Sequence, residues 1–340
     1  MPDPTPRPAA EVSVLIVGYK SKDLLRDCLE SLFEHTRGVR MEVLYTDCSA
    51  DGSMDMVRQR YPDVRVIEND ENLGFARGNN FLARHAEGEY LLLLNPDTLI
   101  RDNAMGELLA CARAHPEAGA WGGVTELPDG QIDPGCRQTG PGLRFGVYRL
   151  LGLRSWGTGG LDASADAPGE VAALSGAFMM IRHTLWKQLG GFDQSFFMYC
   201  EETDLCHRVR RAGHAVIMTP HARIVHLVGS GAATSPQRML AMSRGGMHLE
   251  RKHFGPLHNT LEGLLRWTHS ASRCLLGWAI TPLRPEKGRC LRERHGPIIR
   301  HPGRWWWGWD ETGQNAPPST SAAARATGGP RIASSAEGRP

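Results

Sequence analysis

The sequence lacks the signals that mark several classes of protein. It has no uninterrupted apolar run near the roughly 20 residues that a membrane-spanning helix requires. Its N-terminus has no charged segment followed by an apolar core and a small-residue cleavage site, so we expect no secretory signal and a cytoplasmic location. The eight cysteines include no Cys-x-x-Cys pair, and their spacing therefore predicts neither a zinc site nor a disulfide framework.

Two common enzyme motifs are also missing. The chain contains no Gly-x-Ser-x-Gly sequence, which argues against the exposed serine nucleophile of many hydrolases. No Gly-x-Gly-x-x-Gly follows the first predicted strand, which argues against an NAD-dependent enzyme. A reaction of this chain should therefore need neither a nucleotide redox cofactor nor a covalent serine intermediate.

The composition is that of an ordinary globular protein. Of its 340 residues, 41% are hydrophobic and 22% are charged, and the formal net charge is only +2. The charge is unevenly spread, since residues 244–310 hold twelve Lys or Arg against five Asp or Glu. A basic region beside an acidic body indicates an anionic surface as a partner. Nothing in the pattern indicates nucleic acid.

Residues 12–122 alternate short apolar runs with amphipathic segments. This alternation predicts an α/β fold of βαβ units on a mostly parallel sheet. The predicted strands are 12–17, 43–46, 64–68 and 90–94, and the predicted helices are 23–33, 53–60 and 75–86. Open sheets of this kind bind ligands where their strands end, so the loops that follow the strands are the candidate site.

The later parts of the chain have different patterns. Residues 123–170 are rich in Gly, Pro and Asp, and we interpret them as a hairpin that turns at 128–130, followed by a mobile loop. Helical spacing predicts one helix over 204–212 and an amphipathic helix over 257–280. We therefore divide the chain into a disordered N-terminus (1–10), a main domain (11–255), a basic amphipathic helical extension (256–310) and a disordered tail (311–340).

Two loops that follow predicted strands carry polar side chains. Residues 47–53, Asp-Cys-Ser-Ala-Asp-Gly-Ser, directly follow a strand, so Asp47 and Asp51 are placed to contact a nucleoside. The alternative is a capping loop in which Asp51 only satisfies helix donors, and the motif alone favours neither. Residues 72–80, Asn-Leu-Gly-Phe-Ala-Arg-Gly-Asn-Asn, offer amides and a close backbone approach, although an ordinary loop before a helix has the same sequence features.

An acid follows the most apolar predicted strand. Residues 91–97, Leu-Leu-Leu-Leu-Asn-Pro-Asp, deliver Asp97 at the carboxyl end of a buried strand. A diphosphate needs a hard cation held by oxygen ligands, and Asp97 is suited to hold one. The alternative is a simple β-turn with Pro96 at its corner.

Three acids lie within four residues after an aromatic run. Glu201, Glu202 and Asp204 follow Phe-Phe-Met-Tyr-Cys at 196–200. Like charges this close repel unless one acid acts as a base with a raised pKa or pairs with a cation. The structural alternative is pairing with the three arginines that follow, Arg208, Arg210 and Arg211. The aromatic run before the acids favours the catalytic interpretation.

The order of these motifs resembles that of the family 2 glycosyltransferases of GT-A fold, and within them the rhamnosyltransferase-like members. The resemblance covers residues 12–255. The matching positions are Tyr19, 47–53, 72–80, 92–97, 175–178, 190–205 and His226. The resemblance implies a GT-A fold, in which helices flank a Rossmann-like, mostly parallel central sheet, here followed by a helical C-terminal extension.

The resemblance also implies roles for individual residues. Asp97 and His226 would bind Mg²⁺ or Mn²⁺ at the diphosphate. Glu202 would be the catalytic base, with Glu201 as an alternative base and Asp204 beside them. The expected donor-binding residues are Tyr19, Asp47, Asp51, Asn72, Gly74, Phe75, Asn79, Asn95, Gly176 and Ala177.

The sequence departs from the family pattern at five positions. Gly18 and Lys20 stand where the family commonly has Asn, and Cys48 replaces another Asn. Asn95 replaces the first acid of a typical Asp-x-Asp, as it often does in the resembling subgroup. Glu202 replaces the usual Asp and is one methylene longer. The nucleoside contacts and the reach of the base are therefore expected to differ from those of the family.

The implied function is an inverting, metal-dependent glycosyltransferase. It would move a sugar, L-rhamnose from dTDP-rhamnose by the subgroup resemblance, onto a saccharide or a polyprenyl-linked saccharide of the cell envelope. A non-catalytic sugar-nucleotide-binding subunit remains an alternative. A sugar nucleotidyltransferase is another, although Val17 to Ser21 is not the glycine-rich basic loop that it would need.

The basic helical extension has two interpretations. Its apolar helix face and the tryptophans Trp305, Trp306, Trp307 and Trp309 could lie at the inner face of the plasma membrane. Alternatively, the same residues pack on the main domain.

Overall fold

The computed structural model describes residues 10–136, 139–153, 166–227 and 235–309. The strands of these residues are β1 (Val12–Gly18), β2 (Met41–Asp47), β3 (Val64–Val66), β4 (Tyr90–Leu94), β5 (Thr98–Ile100), β6 (Ala118–Glu126), β7 (Gly169–Glu170), β8 (Phe178–Arg182) and β9 (Ala215–His226). The helices are α1 (Lys22–His35), α2 (Ser53–Arg60), α3 (Gly74–Ala83), α4 (Ala104–Ala114), α5 (Leu143–Leu151), α6 (His183–Leu189), α7 (Glu201–Arg211), α8 (Pro236–His253), α9 (Pro256–Ile280) and α10 (Pro285–Arg300).

All of these strands belong to one mixed sheet. Its order is β3-β2-β1-β4-β8-β6-β9-β5, and β7 pairs with β9. The four strands β3, β2, β1 and β4 are mutually parallel, so their carboxyl ends meet at one edge. Beyond β4, antiparallel β8 separates this group from the parallel pair β6 and β9. The loops predicted to carry the site therefore open at the same edge of the sheet.

Helices cover both faces of the sheet, and β1 shows why. Its alternate residues face opposite sides, with Val14 and Ile16 in one core cluster and Leu15 in the other. The first cluster is completed by α1, α2 and α4, and the second by α3, α6 and α7. An apolar run buried on both faces is typical of a central parallel strand. The predicted α/β architecture is confirmed.

The interpretation of residues 123–170 is partly wrong. The turn at 128–130 is present, since the Leu127 amide donates to the Gln131 carbonyl at 2.7 Å. Residues 143–151, however, form α5 instead of a mobile loop. This helix packs on α9, where Arg149 pairs with the buried Glu262 at 2.6 Å. The partner lies 113 residues away in the sequence, so no local pattern could reveal it. Residues 154–165 of this segment lie outside the described residues.

The C-terminal region consists of α8, α9 and α10. The predicted helix over 257–280 is present as α9, whose first residue is a proline, a favoured residue at that position. Trp305 and Trp309 are buried, so the packing interpretation is confirmed for these two, whereas Trp307 is 65% exposed. Among the helices of the described ranges, none is long and apolar enough to cross a bilayer. The predicted disordered N-terminus and tail lie almost entirely outside those ranges.

Candidate active site

The ends of β1 and β2 form the first part of the site. Gly18 and Asp47 are partners across these strands. The Asp47 carboxylate is only 4% exposed and accepts hydrogen bonds from the Tyr45 hydroxyl at 3.0 Å and from Ser49. A side chain at residue 18 would collide with Tyr45 and with Asp47. The glycine that replaces the expected Asn is therefore required by this packing.

Asp51 joins the loops that follow β1 and β2. One carboxylate oxygen accepts from the Ser53 amide at 2.9 Å, and the other accepts from the Lys22 amide at 3.1 Å. Burial alone would raise the pKa of Asp51, but these hydrogen bonds outweigh it and lower the pKa. Asp51 thus satisfies amides at the starts of two helices, as the capping alternative required. Tyr19, at the end of β1, is 53% exposed at the same edge.

The loop before α3 is shaped by its own side chains. The Asn72 carboxamide oxygen accepts from the Gly74 amide at 3.1 Å, and Gly74 adopts φ +63°, which favours glycine. A Cβ atom at residue 74 would lie 3.4 Å from the carbonyl oxygen of Phe197. Asn79 is buried and donates to the Phe75 carbonyl at 2.9 Å. These contacts fix Phe75 at the start of the helix.

Asn80, which the sequence motif contains but to which we gave no role, holds a second loop. Its amide nitrogen donates to the Phe192 carbonyl at 2.8 Å, and its oxygen accepts from the Phe192 amide at 2.9 Å. These two hydrogen bonds attach the Gly-Gly-Phe-Asp loop at 190–193 to α3. Asn80 is therefore a structural residue.

Asp97 and His226 meet through strand pairing. β5 runs antiparallel to β9 with Thr98 opposite His226, and the Leu227 amide donates to the Asp97 carbonyl at 2.8 Å. The His226 Nε2 atom then lies 3.3 Å from an Asp97 carboxylate oxygen. Asn95 lies at the same edge, because its backbone amide donates to the Ala177 carbonyl at 3.1 Å. Residues more than a hundred positions apart are thus brought together.

A second acid, Asp133, completes this group. The Nδ1 atom of His226 lies 3.2 Å from a carboxylate oxygen of the buried Asp133. Burial would lower the pKa of His226, but hydrogen bonds to Asp133 and Asp97 outweigh it and raise the pKa to about 9. The sequence analysis missed Asp133, which follows the predicted turn at 128–130. Its one available signal was an acid placed just after a hairpin turn.

The acid cluster begins α7. Tyr199 and Cys200 precede the helix with φ values of +70° and +72°, a conformation that is strained for residues other than glycine. The helix α8 supports this backbone, because Gly245 packs directly on the Tyr199 carbonyl, where a Cβ atom would collide. Such strain occurs at functional sites, where surrounding contacts enforce it.

Glu202 lies at the centre of the predicted site. A Cβ atom at residue 176 would lie 3.7 Å from the Cβ of Glu202 and 3.0 Å from the ring of Phe75. The lack of a side chain at Gly176 therefore lets the aromatic ring and the acid pack closely against its backbone. The structure brings together Phe75, Gly176 and Glu202 from three separate motifs.

Glu201 has a different environment from Glu202. Its side chain is only 4% exposed, and within the described residues its Oε2 atom has no hydrogen-bond partner. Burial, followed by the negative charge of Glu202, raises the pKa of Glu201 well above its ordinary value. Burial and the neighbouring carboxylate therefore both favour the protonated form of Glu201.

Asp204 is fully buried and surrounded by cations. Its carboxylate contacts Arg208 Nε at 2.8 Å, Lys252 Nζ at 2.9 Å and His253 Nε2 at 2.7 Å. Burial would raise the pKa of Asp204, but these partners outweigh it and lower the pKa. Lys252 also contacts Asp193 at 2.6 Å. The structure thus places Asp204 in an ion cluster that joins α7 to α8.

A central α/β sheet with acids gathered at the carboxyl ends of its strands is the arrangement expected of a GT-A fold. The fold is also that of a mannosyltransferase from Pyrobaculum calidifontis solved with GDP-mannose and Mn²⁺. The two share a TM-score of 0.60 at 18% identity, over 90% of this chain and 89% of that one. Residues 8–245 match the family model described as "Glycosyltransferase like family 2", and the chain belongs to the family 2 glycosyltransferases.

Two curated relatives are rhamnosyltransferases. One is the N-acetylglucosaminyl-diphospho-decaprenol L-rhamnosyltransferase of Mycobacterium tuberculosis, 30% identical over 74% of this chain and 89% of the relative. The other is the rhamnosyltransferase WbbL of Escherichia coli, 24% identical over 63% of this chain and 83% of the relative. The expected family and its rhamnosyltransferase-like relatives are confirmed.

Proposed function

We propose that this glycosyltransferase inverts the sugar that it transfers, with Glu202 as the base. The acceptor oxygen would bond to the anomeric carbon as the bond from that carbon to the diphosphate breaks, and Glu202 would take the acceptor proton. The observation that carries this proposal is that Glu202 and Phe75, from separate motifs, meet at the Gly176 backbone, where a Cβ atom would crowd the ring of Phe75. The carboxylate and the aromatic ring thus lie together at the site.

Glu202 is a better base than Glu201. A base must be unprotonated and must reach the acceptor. Glu201 is buried, which shields it from a substrate, and its raised pKa favours the protonated form. Glu202 is partly exposed as a residue, although its Oε2 atom is buried. Asp204, held by its ion cluster, positions the helix that carries both acids.

The donor set at Asp97 and His226 fits a divalent cation. A carboxylate beside an imidazole suits Mn²⁺ better than Mg²⁺, which takes oxygen ligands almost exclusively. Asp133 accepts at the other ring nitrogen of His226, as second-shell carboxylates do at metal sites. Within the described residues no group of three or more acid, His or Cys side chains could hold a metal alone. Donor oxygens would complete the coordination.

When bound, the cation would neutralise charge on the departing diphosphate. The residues of the chain would hold the cation and orient the donor. Asp133 would orient the imidazole of His226, and Asp97 would supply the carboxylate. Tyr19, exposed at the end of β1, would face the nucleoside beside Asp47. Because Asp47 is already engaged by Tyr45 and Ser49, it would contact the base only through its remaining lone pairs.

The relatives suggest the substrates. One is named for transfer of L-rhamnose to a decaprenyl-diphosphate-linked N-acetylglucosamine. We extend this chemistry to the present chain as dTDP-L-rhamnose for the donor and a polyprenyl-diphosphate-linked saccharide for the acceptor. Such an acceptor would place the enzyme on the cytoplasmic side of the membrane, in peripheral contact with it.

A panel of dTDP-, UDP- and GDP-sugars tests the proposal. We expect metal-dependent binding and transfer with one class of donor, and a product whose anomeric configuration, read by NMR, is opposite to that of the donor. Retained configuration would contradict the Glu202 mechanism. Binding of a donor without hydrolysis or transfer to any acceptor would instead favour a non-catalytic subunit.

A further inference from the structure

Helix α9 presents a largely exposed apolar face. We define the α9 outer face as Leu257, Leu261, Leu264, Leu275, Trp278 and, in the turn that follows, Leu283. These side chains are between 42% and 87% exposed. At the 3.6 residues per turn of a helix, the five members within α9 lie on one side of it. A patch of large apolar side chains on an otherwise folded surface marks an interaction site.

The acid of α9 does not lie on this face. Glu262 is 1% exposed on the opposite side, where it pairs with Arg149 at 2.6 Å and with Arg266 at 2.9 Å. The apolar face therefore carries no negative charge from its own helix. A negatively charged partner would meet no repulsion there.

Cations surround the end of the face. Arg284, Lys287 and Arg289 are exposed at the turn into α10. The guanidinium of Arg292 lies 4.3 Å from the centre of the Trp278 ring. Glu286 offsets part of this charge through its pair with Arg289. Over 256–309 the nine Lys and Arg still exceed the three acids.

We propose that the α9 outer face docks on the surface of a bilayer that contains anionic phospholipid. Leucines facing one way and an exposed tryptophan suit the boundary between headgroups and acyl chains. The cations at the turn suit lipid phosphates. The contact is peripheral, since no helix of the described ranges could span the bilayer. This inference rests on the proposed function in one respect, that a lipid-linked acceptor lies at such a surface.

Sedimentation of the full chain with vesicles tests the surface without any donor or acceptor. With vesicles of phosphatidylcholine and phosphatidylglycerol we expect co-sedimentation at low salt and release as salt screens the charges. With phosphatidylcholine alone, binding should be weaker. Recovery of the wild-type chain in the supernatant under all of these conditions would overturn the proposal.

The apolar contribution is tested by Leu275→Ser, Trp278→Ser and Leu283→Ser in one variant. Because these side chains are exposed, the variant should fold, which circular dichroism checks. Its partition to mixed vesicles should fall by about tenfold or more, since buried apolar area drives interfacial binding. Binding equal to wild type would overturn the proposal. So would conversion of a dimer to a monomer with no change in vesicle binding, because the face would then join two copies of the chain.

The charge contribution is tested by a matched pair of variants. Arg284→Gln, Lys287→Gln and Arg289→Gln together should weaken binding and flatten its salt dependence. The control changes three exposed arginines of the sheet domain, Arg58, Arg60 and Arg84, to Gln and loses the same net charge. The control should bind as wild type does. Equal losses in both variants would show only a net-charge effect and would overturn the assignment of this surface.

Transfer to a water-soluble acceptor separates the two proposals. If the apolar variant loses vesicle binding but keeps that activity, the surface is supported independently of the chemistry. If wild type binds vesicles but transfers no sugar from any nucleotide donor, the surface stands and the proposed function fails.

Discussion

Two buried acids at the start of α7 have opposite electrostatic surroundings. Glu201 is buried beside Glu202, and its pKa is raised. Asp204 is buried among Arg208, Lys252 and His253, and its pKa is lowered. Glu201 and Asp204 are three residues apart in the sequence, and both are buried. What differs is the supply of cations, and these come from α8 and from the next turn of α7.

The comparison separates two uses of a buried acid. An acid with matched cations contributes to the stability of the fold, whereas acids left to repel each other shift a pKa in a way that suits proton transfer. Helix α7 thus joins a stabilised anchor to the proposed catalytic edge.

Asp204→Asn should give the largest effect, and the effect should be on stability. Removal of a partner from a buried ion cluster leaves uncompensated charge and costs about 3 to 5 kcal/mol. Urea denaturation would measure the loss. Asp193→Asn is the matched control, since it removes another partner of Lys252 from a more exposed site and should cost about 1 kcal/mol. Equal losses in the two variants would contradict the special position of Asp204.

Glu202→Gln should act on chemistry and leave stability nearly unchanged. Loss of a general base should lower kcat by roughly 10² or more, while KM for the nucleotide sugar stays near wild type. Glu201→Gln should do less, because Glu201 is buried away from the acceptor. Steady-state kinetics at saturating acceptor would measure both. Near-normal kcat in both variants would mean that this carboxylate pair does not provide the base.

Asp97→Ala tests the acid that is proposed to hold the cation. We expect the affinity for the donor in the presence of Mn²⁺ to fall on the order of tenfold, because the carboxylate is proposed to hold the cation. Isothermal titration calorimetry with and without Mn²⁺ would separate this effect from direct donor contacts. Glu201→Gln serves as the control and should bind donor normally. Metal-independent binding of equal strength in wild type and variant would contradict the assignment.

The smallest effect should be the dependence of stability on pH. Burial, helped by the neighbouring cationic groups, lowers the pKa values of His207 and His295 to about 4. Both are neutral in the folded chain, whereas the unfolded chain takes up protons below about 6.5. Stability should therefore fall as pH drops from 6.5 towards 4, by less than about 1.4 kcal/mol per pH unit for each histidine.

Asp204 should add nothing to that slope. Its lowered pKa keeps it ionised throughout this window, and its contribution is lost only at lower pH. Urea midpoints at pH 5 and pH 7 would measure the slope. His295→Gln should reduce it, and a slope that the substitution leaves unchanged would show that the buried imidazole is not the cause.

Local sequence determined much of the fold and the choice of candidate site residues. The apolar run of β1, the helical spacing of α9 and the polar loops after β2 and β4 are encoded within a few residues, and each appears where predicted. The ordered motifs likewise identified the family. Such signals suffice because hydrophobic period, capping and turn chemistry act between near neighbours.

Tertiary structure alone decided which residues meet. Asp133 reaches His226 across 93 residues, Arg149 reaches Glu262 across 113, and the cations of Asp204 come partly from α8, 48 and 49 residues on. In the sequence, Glu201, Glu202 and Asp204 are similar neighbouring acids. Their surroundings differ because packing places each beside different charges. A pKa depends on burial and on charges a few ångströms away in space. Those distances are set by how the sheet and helices pack, and no local pattern contains them.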